Sequence, residues 1–155
     1  MTSGSGRGAL PPVGVRLGVD VGSVRVGVAV SDPGGILATP VETLHRDADG
    51  NTDVDRLAQL VTDRRVVEVV VGLPRTLHGT NGPAAEAARA YAVLLSDRIG
   101  DVPIVFVDER MTSVVANRAL AAGGRNSRSR RTIVDQAAAM EILQTRLDAV
   151  RERHV

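Results

Sequence analysis

The stretch "LGVDVGSVRVGVAVSD", Leu17 to Asp32, decides the fold. Val15, Leu17 and Val19 alternate with Arg16 and Gly18, and the alternation resumes as Val24, Val26, Val28 and Val30. Two such runs separated by the short "VGS" predict an antiparallel hairpin. Small Gly27 and Ala29 fall on the opposite face of the second strand, where a helix can pack close. Asp20 stands where the first strand stops, and a charge in that place calls for a reason.

Outward from the hairpin, "DPGG" (Asp32 to Gly35) is a turn and "ILATPVETLH" (Ile36 to His45) reads as a third strand. Asn51 or Thr52 can cap a helix reaching about Arg65, with Val54, Leu57, Leu60 and Val61 on one stripe. "VVEVVVGL", Val66 to Leu73, is a β-branched run suited to a central strand covered on both sides. A second helix opens with Pro83 in its first turn and ends before Gly100. "VPIVFV", Val102 to Val107, makes a fifth strand leading into "DERMTS". A short helix follows from about Ser113 to Ala122, stopped by Gly123 and Gly124. The loop "GGRNSRSRR" then precedes a last helix from about Ile133 to Arg151, with Ile133, Ala137, Met140, Leu143, Leu147 and Val150 as its buried stripe. This order predicts an α/β fold: a five-stranded mixed sheet, built from a three-strand antiparallel meander and two parallel strands reached by right-handed crossovers. Residues 1–13, rich in Gly, Ser and Pro, are expected to form a disordered tail, and residues 14–152 a single domain.

Composition narrows the chemistry. Of the 155 residues 43% are hydrophobic, but Tyr91 and Phe106 are the only aromatics, so the core must be aliphatic. The same scarcity argues against nonspecific single-strand binding by base stacking. A net charge of +1 requires any affinity for nucleic acid to come from local clustering. All 19 basic residues are arginine, which reflects either coding bias or the fit of a forked guanidinium to phosphate. The absence of cysteine excludes disulfides, thiol nucleophiles and Cys-based zinc sites. With neither a signal core nor an apolar run long enough to span a membrane, a cytoplasmic protein is expected, with no membrane partner.

Three acidic spots fall at element ends. Asp20 ends the first strand, Asp108 and Glu109 end the fifth, and Asp135 lies in the expected first turn of the last helix. Ligands of open α/β sheets collect beyond the carboxyl ends of the strands, and carboxylates gathered there suit a hard cation such as Mg²⁺. Two such ions could activate water and stabilise the leaving oxygen in phosphodiester cleavage. Each residue also has a plainer role. Asp20 can hydrogen-bond its own turn, Asp135 can complete a capping box with Thr132, and either acid of the "DE" pair can bind Arg110. Strand alternation lets only one of Asp108 and Glu109 face a given side. Arg125, Arg128, Arg130 and Arg131 make either a solvated loop or a phosphate clamp. "GLPRTLHGTNGP", Gly72 to Pro83, could approach a phosphate but lacks the ending of a P-loop. His45, His78 and His154 lack metal-ligand spacing.

"LGVDVGSVRVGVAVSD", "VVVGLPRTLHGT", "VDERMTS" and "VDQAAAMEIL", in that order, resemble the YqgF/RuvX family, described as Holliday junction resolvases and as pre-16S rRNA nucleases. The resemblance covers about Val15 to Leu147. It implies an RNase H-like fold with helices on both faces of the sheet. It also implies a nuclease dependent on Mg²⁺ or Mn²⁺, with Asp20, one of the "DER" acids and Asp135 as catalytic and metal-binding residues. Glu109 is favoured over Asp108. Similar sequences suggest that Arg75, Arg110, Thr112 and Ser113 line the cleft. One departure stands out: better-studied RNase H-like resolvases commonly carry their second acid at the end of the fourth strand, where this chain has "VGLP".

The expected substrate is structured nucleic acid, either a ribosomal RNA precursor or branched DNA. Resolving a four-way junction takes two symmetric cuts, which a homodimer would supply, whereas trimming a precursor takes one site. Two other functions compete. "GVDVGS" also resembles the first phosphate loop of actin-like ATPases and sugar kinases, although those use two such domains. A binding module of the same fold could grip nucleic acid without cutting it, a role that leaves the acids unexplained.

Overall fold

The hairpin forms where the alternation puts it. In the computed structural model, which describes residues 11–74, 82–112 and 128–154, β1 (Arg16–Val21) pairs antiparallel with β2 (Arg25–Ser31). Leu17 faces Val30, and Val19 faces Val28. β3 (Ala38–His45) adds antiparallel to β2, while β4 (Glu68–Leu73) and β5 (Ile104–Asp108) extend the other side in parallel. The sheet order β3-β2-β1-β4-β5 is the meander plus parallel pair that the element order implies.

Each sheet face has its own apolar layer. Leu17, Val19, Val26, Val28, Val69 and Val71 face α1 (Thr52–Asp63) and α2 (Pro83–Ile99), meeting Val54, Leu57, Ala88 and Leu95. The other face, with Ala29, Val70 and Val107, packs on α3 (Arg128–His154) through Ala138, Ala139, Ile142, Leu143 and Leu147. Ile142, Leu143 and Leu147 are fully buried, each worth about 1.5–3 kcal/mol of transfer free energy. Among the described residues, no helix is long and apolar enough to cross a membrane.

Several boundaries differ from expectation. β3 begins at Ala38 because the backbone N–H groups of Ile36 and Leu37 donate to Asp32 Oδ1 and so belong to the turn. Its Pro40 is tolerated because β3 is an edge strand with a register shift beside Ala29. Asn51 occupies the N-cap position of α1 in a left-handed conformation without a side-chain cap bond, and Asp47 accepts from Thr52 N and Oγ1 instead. The Gly50 backbone and Thr52 hydroxyl bonds hold the Asp47 carboxyl down at about 2. α1 stops at Asp63, since Arg65 turns left-handed at φ 53° and Val66 N bonds back to Val61 O.

The largest correction concerns α3, which starts at Arg128 rather than near Ile133. Arg128, Arg130 and Arg131 therefore belong to a helix; arginine is a good helix former, and no Gly or Pro interrupts the run. Asp135 lies two turns inside, so the Thr132 capping box does not form at a helix start. Ile133 is 64% exposed and Ala137 and Met140 are only half-buried, whereas Leu143, Leu147 and Val150 are buried as expected, joined by Ala138, Ala139 and Ile142. Gly18 permits a close approach of this stripe: a Cβ there would meet Leu143 Cβ at 2.7 Å and the Ala139 carbonyl at 2.8 Å.

The amino end of β1 carries a buried ionic cluster. Arg16, 1% exposed, donates through Nε to Glu68 Oε1 at 2.8 Å, and Arg146 of α3 donates to both Glu68 oxygens. Burial pushes the Glu68 carboxyl up, but the two guanidinium groups outweigh it and hold Glu68 below its ordinary value.

Candidate active site

At the carboxyl end of β1, the α3 face of the sheet is paved with residues that have no side chain. Asp20 pairs with Gly27 on β2, and on its other flank, one step beyond the Val19–Val71 pair, stands Gly72 of β4. Asp20 shares the parity of Gly18, so its carboxylate points toward α3, and it is 2% exposed. A Cβ on Gly27 would run into the Asp135 carbonyl, and one on Gly72 into Ile142 Cδ1. The two glycines leave room on both sides of one buried aspartate for groups from other elements.

Glu109 uses one of those spaces. β5 ends at Asp108 and a single 3₁₀ turn, Glu109–Met111, changes the chain's direction. Asp108 caps that turn by accepting from Arg110 N at 2.9 Å, and it binds the Arg110 guanidinium at 2.6 Å. These bonds to Asp108 push the Arg110 pKa above its ordinary value. Glu109 turns inward: it is 3% exposed, and its Oε2 lies 3.0 Å from where a Cβ of Gly72 would stand. The "DE" pair thus divides its work, Asp108 holding the turn and Glu109 facing the row of Asp20. Thr112 closes the turn, with both its N and Oγ1 donating to Glu109 O.

Asp135 reaches the other space. With its main chain against Gly27, its Oδ2 accepts from Arg25 Nε at 2.6 Å, the two side chains being 17% and 33% exposed. A cleft of about 690 Å³ opens here, bounded by Asp20, the β1–β2 turn, Arg25, Pro74, the first turn of α2 and Asp135. No sequence motif nominated Arg25. Its parity is the available signal: it is in step with Gly27 and Ala29, so a charge was bound to lie on the helix-covered face at the strand's open end.

Arg75, Ser113, Arg125 and His78 lie outside the described residues. Arg128, Arg130 and Arg131 lie in the first turn of α3, and His45 is exposed at the end of β3. Among the described residues, no three acidic or histidine side chains stand close enough together to hold a metal ion, Asp135 being turned toward Arg25. The donor set nonetheless suits a hard divalent ion: Mg²⁺ is commonly held by only one or two carboxylates, water and substrate phosphate completing its shell. Asp20 and Glu109, buried beside a glycine floor, offer those oxygens and no soft ligand.

Comparison with known proteins places these features in context. A family model described as "RuvX: Holliday junction resolvase" matches residues 14–149. A Frankia casuarinae protein named "Putative pre-16S rRNA nuclease" is 59% identical over 137 residues, 88% of this chain and 68% of its own length. A Mycobacterium sp. (strain KMS) protein of the same name is 54% identical over 138 residues, 89% of this chain and 82% of its own. Among solved structures, Thermus thermophilus RuvC in complex with a Holliday junction substrate superposes with a TM-score of 0.53 at 16% identity, covering 90% of this chain and 96% of its own. At that identity the likeness concerns the fold, which is RNase H-like.

Proposed function

The chain belongs to the RuvX family, and from that premise we propose that it is an endonuclease that hydrolyses phosphodiester bonds in structured nucleic acid, with a ribosomal RNA precursor as its main substrate. One observation supports the reading: Asp20 and Glu109, from distant segments, are both buried at the carboxyl end of the sheet, Asp20 paired with Gly27 and Glu109 packed against Gly72. Asp108 holds the 3₁₀ turn and the Arg110 guanidinium, whereas Asp20 and Glu109 are buried at 2% and 3% exposure. The choice of RNA follows the names of relatives at 54–59% identity.

In this mechanism Asp20 and Glu109 would hold a divalent cation, Mg²⁺ or Mn²⁺, with Asp135 as a third acid lining the cleft. Such an ion, when bound, supplies an activated water and neutralises charge on the phosphoryl oxygens. The chain's own contribution is to hold the two buried carboxylates in place and to shape the cleft. The backbone of the β1–β2 turn and the first turn of α2 form its walls. The arginines at the start of α3, and Arg75 and Arg110, supply phosphate contacts that position the strand.

The test is to incubate the purified chain with a precursor 16S rRNA fragment and with a synthetic four-way DNA junction, each with Mg²⁺, Mn²⁺ or chelator. Cation-dependent cutting of the RNA, abolished in Asp20→Asn while binding persists, is the expected result. Cleavage unchanged in Asp20→Asn contradicts the mechanism, and cutting of the junction alone contradicts the substrate.

A further inference from the structure

Arg25 is the one basic side chain described within the cleft, and it is spent on Asp135 in an unusual way. Only Nε is engaged; among the described residues its terminal nitrogens make no hydrogen bond. A guanidinium bound side-on keeps its two-pronged end available, and that fork matches a phosphate better than any other side chain does. The pair is also partly open to water, at 33% and 17% exposure, so it is screened and easily exchanged, unlike the buried Arg16–Glu68 pair at 1% and 5%. Its location matters too. Gly27, the residue paired with Asp20, brings the Asp135 backbone down onto β2, so that Asp135 lines the same cleft as Asp20 while its carboxylate accepts from Arg25.

Asp135 therefore has two alternative partners in the same place. We propose that Arg25 and Asp135 form an exchangeable pair: arginine neutralises Asp135 while the cleft lacks a divalent cation, and when Asp135 turns to the cation the released guanidinium grips a backbone phosphate of the nucleic acid. Cation binding and phosphate binding are thereby coupled through one side chain. The inference rests on the nuclease reading of the cleft and adds a positioning residue to it. A simple staple between α3 and the hairpin makes a different prediction, since removing a staple lowers the melting temperature and leaves ion affinity alone.

The test uses Arg25→Ala and Arg25→Lys in the full chain. Mn²⁺ affinity is measured by calorimetry without nucleic acid, and binding to a labelled precursor rRNA fragment is measured in Ca²⁺ across a salt series. Arg25→Ala is expected to bind Mn²⁺ about two- to fivefold more tightly, the competition of a partly exposed ion pair having been removed. Its log-affinity for RNA should fall less steeply with log salt, by nearly one unit of slope. Arg25→Lys keeps the charge, so its Mn²⁺ affinity and salt slope stay near wild type while RNA binding weakens through loss of the fork. Should Arg25→Ala fold poorly by thermal melting, Arg25→Lys decides the matter. Unchanged Mn²⁺ affinity in Arg25→Ala, or an unchanged salt slope, overturns the exchange. Wild-type protein that binds no Mn²⁺ at all overturns the nuclease reading beneath it.

Discussion

Replacing Gly27 by alanine puts a methyl group against the main-chain carbonyl of Asp135, a partner that cannot swing aside as a side chain would. The α3 backbone must lift from β2, carrying Asp135 with it. Overpacking of this kind costs about 1–3 kcal/mol, offset by about 0.5–1 kcal/mol from removing a flexible glycine from a strand, for a net loss of up to about 2.5 kcal/mol. At about 2–4 °C per kcal/mol for a chain of this length, the melting temperature falls by up to about 10 °C. Catalysis is more sensitive, because a displacement of about 1 Å can cost on the order of 10²-fold. Gly18→Ala is the control. Its methyl meets Leu143 Cβ and the Ala139 carbonyl, farther along α3, so it costs comparable stability without moving the acids. The assays are thermal melting by circular dichroism and cleavage of labelled precursor rRNA. Wild-type cleavage in Gly27→Ala, or equal loss in both variants, refutes the reasoning.

Glu109→Gln should reduce cleavage by more than the roughly 10–100-fold typical of residues that merely support a metal site, while Asp108→Asn, which loses a surface cap, should retain most of it; single-turnover rates distinguish the two. Tyr91→Phe removes a donor to buried Asp53, which keeps its bonds to Arg46, and should lower stability by about 1–3 kcal/mol in urea titrations. Glu68 makes stability depend on pH in a stated direction. Because its folded pKa is depressed from 4.5, its contribution is complete above that value and is lost as pH falls through the folded pKa. Glu68→Gln should therefore flatten the acid limb of a stability-against-pH profile below about pH 4.5 without steepening it near neutrality.

The sheet was legible because its signals are local. Alternation along Val15 to Val30 and the β-branched run of β4 each state which face is buried, and Gly27 and Ala29 announce the helix that covers them. The start of α3 was obscured because four arginines in seven residues look like a solvated loop, although arginine favours helix. The acids were visible as element ends, but which of Asp108 and Glu109 turned inward depended on the 3₁₀ turn that follows β5. For Arg25, parity along β2 gives the face, but its partner, Asp135, lies 110 residues away, and no local pattern encodes that contact.

The central claim is that Asp20 and Glu109 jointly hold a divalent ion at the glycine-paved end of the sheet. Anomalous diffraction from crystals grown with Mn²⁺ tests it most directly. The account predicts a peak bonded to oxygens of both side chains, beside Gly72. Well-ordered crystals with Mn²⁺ bound elsewhere, or with the two carboxylates engaged only by protein groups at saturating Mn²⁺, would contradict it.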